Sequence, residues 1–211
     1  MYAYVGNNPT SRVDPSGLVV QCSSDLAKKD AQRCQEIIDL ANKKDKNGSY
    51  VYAKLHSIYD RLNQDKRVFT IENAKLARGV LGLTTLRGIN GAGTDFSSAT
   101  IQMDFKQIAG LNATSPANMV RGFDMFSGLL GKKSLERAEN FGHEGAHSVW
   151  ALDNPIEAVT LQRLINDERG RHYNDPVFLR EVRASDPLLD LTETFAQQTE
   201  QIVNEELNGV P

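Results

Sequence analysis

The pentapeptide His143-Glu144-Gly145-Ala146-His147, set inside a long helical pattern, constrains this chain more than any other feature. Leu135, Ala138, Gly142, Ala146 and Val149 recur at helical spacing, which predicts one amphipathic helix over residues 134–152 with a buried stripe that is small at its centre. Positions four apart on a helix lie one turn above each other, so His143 and His147 turn both imidazoles toward one point. Glu144 projects beside the first imidazole, where it can take a proton from a water held at that point. The pattern is H-E-x-x-H: two zinc ligands and a general base. The small residues Gly142, Gly145 and Ala146 read as room left beneath the ion. The chain has only four histidines, which makes the pairing a specific signal once the helix is credible.

A catalytic zinc needs a third protein ligand and an open position for water. Three residues compete for that place. Glu193 and Glu200 share one flank of a helix expected over residues 188–207, whose buried stripe is read as Leu191, Phe195, Ala196, Ile202 and Val203. Glu193 is the first choice and Glu200 the second. His172, in the polar GRHYND segment, would make an all-histidine site. Glu157 is set aside because Asn154-Pro155-Ile156-Glu157 reads as a capping box with proline at the first helical position.

The rest of the chain supplies a frame for this site. Helices are expected over residues 25–44, 50–62 and 155–167, a short helix through Leu76 and Val80, and strands over 68–71 and 101–105. The stretch 88–96, GINGAGTDF, is a glycine-rich loop that matches neither phosphate-binding pattern. Cys22 and Cys34 are not spaced like a zinc ribbon, and a bridge and two free thiols are equally compatible with them. The fold class expected is α+β, mostly helical, with a small sheet beside the motif helix.

Composition removes several function classes. A net charge of -3, from 24 basic and 27 acidic residues, provides no basic field for a phosphate backbone, so nucleic acid is not an expected partner. No apolar run is long enough to span a membrane, and the first residues lack the pattern of a signal peptide.

Two resemblances add to this reading. The motif helix, followed by a helix bearing Glu193-Thr194-Phe195-Ala196, resembles the gluzincin pattern of lethal-factor-type toxin peptidases. The likeness covers little more than the C-terminal third of the chain. It implies a zincin-like fold, zinc held by His143, His147 and Glu193, and Glu144 as the base that activates water. It further implies a sheet-edge strand over residues 101–105 for pairing an extended peptide substrate, and makes Tyr173 a candidate oxyanion stabiliser.

The segment YAYVGNNPTSRVDPSGL resembles the end of the Rhs repeat-associated core of polymorphic toxins, after which a variable toxin follows. In that family an aspartyl autoprotease cuts after the leucine, here Leu18, and Asp14 matches one of its two aspartates. The upstream aspartate motif is missing, so no self-cleavage is expected. The division implied is residues 1–18 as a remnant of the Rhs core and 19–211 as a zinc metallopeptidase toxin domain, with a helical part over 19–95 and a catalytic part over 96–211. The implied protein is an effector delivered by a bacterial secretion apparatus into a target cell. Its partners would be a protein or peptide substrate, a cognate immunity protein and the upstream Rhs shell. A module that binds a host protein without catalysis, and a zinc hydrolase of a non-protein amide, are the alternatives.

Overall fold

Short runs of β-branched and aromatic residues build one four-stranded sheet, and the longer helical patterns pack against it. The computed structural model describes residues 19–110, 133–172 and 187–209. Its strands are β1 (Val19–Cys22), β2 (Val68–Asn73), β3 (Gly82–Arg87) and β4 (Ser98–Met103). The helices are α1 (Lys28–Ala41), α2 (Ala53–Asn63), α3 (Phe105–Ala109), α4 (Lys133–Asp153), α5 (Pro155–His172) and α6 (Pro187–Asn208). This is an α+β fold. The first eighteen residues, with Asp14 and Leu18, lie outside the described residues, as does Tyr173.

The strand order is β1-β2-β4-β3. β1, β2 and β4 run parallel, with α1 and α2 forming the crossover between the first two, and β3 runs antiparallel to β4. The strand expected over 101–105 therefore proves to be an inner one, paired on both sides, and it ends at Met103. Burial on both faces explains the placement: Ala99, Ile101 and Met103 are buried, and so is Thr100 on the strand. Among the described residues β3 has a neighbour on one side only. Asp104 then caps α3, its carboxylate accepting from the amides of Lys106 and Gln107.

The short helix expected around Leu76 and Val80 does not form. Residues 74–81 run as an irregular segment whose polar groups are satisfied from outside it. The Leu76 amide donates to Asp104, and the Gln107 side-chain amide donates to the carbonyls of Leu76, Ala77 and Val80. Gly79 makes the turn at φ 87°, a left-handed conformation that favours glycine. Three of the four strands thus come from residues 19–95, the part read as helical. The glycine-rich stretch 88–96 is the connection of the β3–β4 hairpin, closed by the Asn90 amide donating to the Asp95 carbonyl.

α4 is the central helix. It packs against α1, α2, α3, α5, α6, β3 and β4, and every residue from Arg137 to Ala146 is buried, so it is not the one-sided amphipathic helix its pattern implies. Glycine makes that crowding possible. A Cβ on Gly145 would come within 2.7 Å of the Ile58 side chain in α2, and one on Gly142 within 3.1 Å of Val203 in α6. These small residues admit neighbouring helices; they do not leave room beneath an ion. Arg137 reaches α1 through an ion pair with Glu36. Cys22 and Cys34 form a disulfide that fastens the end of β1 to α1.

α6 also faces differently from its apolar pattern. Thr192, Ala196, Thr199, Glu200, Val203 and Leu207 are buried, whereas Leu191 and Ile202 are exposed. The buried face is the one that carries polar groups to α4, and the rotation follows from that demand.

Candidate metal centre

α4 and α6 lie side by side with their polar residues facing, and the site is built in that seam. His143 and His147 project from one face of α4, and their Nε2 atoms stand 3.3 Å apart. Glu193 of α6 faces both: its Oε2 lies 3.4 Å from Nε2 of His147, and its Oε1 lies 3.8 Å from Nε2 of His143. One ligand atom from each of His143, His147 and Glu193 falls within 4.8 Å of the other two, an arrangement that can hold a metal ion.

The outer nitrogens fix which atoms face that point. Nδ1 of His143 donates to Oε2 of Glu200 at 2.6 Å, and Nδ1 of His147 lies in hydrogen-bond contact with Oγ1 of Thr192 at 2.9 Å. With its proton on Nδ1, the neutral His143 ring presents its lone pair at Nε2, toward His147 and Glu193, and the Thr192 oxygen can accept the same proton from His147. A carboxylate behind a ligating imidazole is the usual way such a ring is oriented and made more basic. The donor set therefore fits a divalent ion: two atoms held about 2.0–2.1 Å from a tetrahedral ion must stand about 3.3 Å apart, as the two Nε2 atoms do. Glu193 and Glu200, which compete as third ligand in the sequence, separate into two places. Glu193 stands on the inner side of the histidines and Glu200 on the outer side.

His143 is almost wholly buried. Burial works to lower its pKa, but the hydrogen bond to Glu200 and the charges of Glu144, Glu200 and Glu193 outweigh it, and the ring is held above its ordinary value. Ligation requires the neutral ring, so the same carboxylates that favour an ion here also make its binding compete with protons.

Glu144 faces the opposite wall, β3. Its Oε2 accepts from the Thr84 hydroxyl at 3.1 Å, and the same hydroxyl lies 2.9 Å from the Glu144 carbonyl. The carboxylate lies directly over Gly82: a Cβ there would meet its Cγ and Oε1 at 2.5 Å. Gly82 and Thr84 escape a reading of the sequence alone, although a glycine opening a strand is a known sign of close approach by another group. Thr192 escapes it too, since nothing local marks it.

The other candidates fall elsewhere. His172 is the last residue of α5 and not part of a loop. Glu157 is exposed in the first turn of α5 and takes no part in the seam. The capping-box reading also changes: the Asn154 side chain donates back to the Trp150 carbonyl at 3.0 Å and so closes α4. Among the described residues, no helix is long and apolar enough to cross a membrane. Compared with family models, with curated proteins and with solved structures, the chain matches none.

Proposed function

We propose that this chain is a zinc-dependent hydrolase that cuts peptide bonds, with zinc held by His143, His147 and Glu193. The observation that carries the reading is the convergence of both Nε2 atoms and Glu193 on one point, beside a glutamate held by the neighbouring strand. A zinc ion bound there would supply a water acidified toward neutral pH and Lewis-acid polarisation of a carbonyl. Glu144 accepts the proton of the attacking water and delivers it to the departing nitrogen. Thr84 holds the carboxylate at Oε2, Glu200 keeps the His143 proton on Nδ1, and Thr192 orients the His147 ring. The strand suited to pair with an extended substrate is β3, the outer strand beside Glu144, in place of the inner β4.

The resemblance of residues 2–18 to the end of an Rhs core supports a wider reading of the chain as the toxin end of a delivered effector, with an immunity protein as its natural antagonist. Metal content by elemental mass spectrometry, with toxicity on intracellular expression scored for wild type and Glu144→Gln, tests both parts. Stoichiometric zinc in both proteins with toxicity only in wild type is the expected result. No zinc after reconstitution, with toxicity intact in Glu144→Gln, would overturn the hydrolase.

A further inference from the structure

Asn140 lies one helical turn before the motif on α4. The residue is 3% exposed, and among the described residues neither Nδ2 nor Oδ1 has a hydrogen-bond partner. A buried amide that makes none of its bonds is a burden on folding that native proteins rarely carry without a functional reason. Its position points to that reason. Residues 140, 143, 144 and 147 share one face of a helix with 3.6 residues per turn. The neighbouring faces of α4 are occupied, since Gly142 meets Val203 of α6 and Gly145 meets Ile58 of α2.

We propose that Asn140 is a substrate-binding residue, whose Nδ2–H and Oδ1 engage the C=O and N–H of one main-chain residue of an extended peptide. The matching is chemical. In an extended strand the N–H and C=O of a single residue point to the same side, and a primary amide offers the complementary acceptor and donor. A carboxylate at this position, an acceptor only, would serve the N–H alone. The proposal rests on the peptidase reading and deepens it, because it names the substrate group recognised as the peptide main chain.

The test compares wild type with Asn140→Ala, both reconstituted with zinc, on a randomised octapeptide library scored by mass spectrometry, followed by kinetics on one cleaved peptide. Asn140→Ala should keep full zinc content, melt no lower than wild type, and lose about tenfold in kcat/KM through a raised KM. N-methylating that peptide one residue at a time should reveal one position where methylation weakens wild type but adds nothing to the variant. A fall of several degrees in the melting temperature of Asn140→Ala would mean that the amide has a partner in the folded chain, and would overturn the proposal. Unchanged KM in a variant that still cleaves would remove Asn140 and leave the hydrolase standing. Failure of wild-type, zinc-loaded protein to cleave any peptide would remove both.

Discussion

The two walls of the seam hold the motif in different ways. The α6 wall contributes a residue to the donor set and two more that hold the histidines from behind, so Thr192, Glu193 and Glu200 act on ring nitrogens. The β3 wall touches neither histidine in any contact described above. It holds only Glu144, through the Thr84 hydroxyl and the bare backbone of Gly82. On the proposed reading, ion binding and proton transfer are supported by separate parts of the chain, more than a hundred residues apart in sequence. Damage to one wall should leave the other's task intact.

The largest effects come from Glu193, on the helix wall, and from Glu144, which the strand wall holds. Glu193→Ala should abolish stoichiometric metal binding and, with it, peptide cleavage; Glu144→Gln should keep the metal and lose roughly 10²–10⁴ in rate. Elemental analysis beside a cleavage assay separates the two, and metal loss in Glu144→Gln would collapse the distinction between the walls. Glu200→Gln is the next test. It keeps the shape and removes the charge behind His143, so metal affinity measured by chelator competition should fall roughly 10–100-fold.

On the strand wall, Gly82→Ala should displace the Glu144 carboxylate and slow cleavage by on the order of tenfold to a hundredfold at full metal content. Thr84→Val, which removes one hydrogen bond, should cost about threefold to tenfold in kcat. Metal content measured on the same samples decides the matter: if either variant loses its ion, the walls are not independent.

The smallest effect concerns Asp104, which caps α3 and holds the segment that leads into β3. Burial pushes the Asp104 pKa up, but hydrogen bonds from the Gln107 side chain and from the amides of Gln107, Leu76 and Lys106 outweigh it and hold it below the ordinary value. A depressed carboxylate stabilises the fold above its unfolded pKa, near 3.9, and that contribution is lost as pH falls through the lower folded value. Asp104→Asn, which keeps a capping oxygen and removes the charge, should cost about 0.3–1 kcal/mol at neutral pH, with the gap to wild type closing as pH drops below about 4. Thermal melts across that range check it; a gap independent of pH would rule out the charged cap.

What was legible in the sequence follows the range of the interactions. The motif helix and the second helix both rest on helical spacing and on groups a few residues apart, and α4 and α6 carry them. The division of labour between Glu193 and Glu200 was not legible, because two glutamates two turns apart on one flank look alike until α4 is laid against them. β3 was missed for a different reason. Its sequence GLTTLR has no apolar alternation, since Thr84 turns toward Glu144 and Gly82 exists to be approached. Likewise the burial of Arg137, Glu139, Asn140 and Glu144 cannot be read from a polar string, because it comes from a helix enclosed by elements distant in sequence.

The Cys22–Cys34 bridge gives the molecule a history. It closes a loop of 12 residues in sequence separation, tying the first strand of the sheet to the helix that follows. A closure of that size contributes about 3 kcal/mol by restricting the unfolded chain, a sizeable share of what a domain of this kind possesses. A molecule oxidised in one compartment and released into a reducing one would keep its fold at first and then lose part of its margin as the bridge opens. Its working lifetime, more than its turnover, would then depend on where it has been.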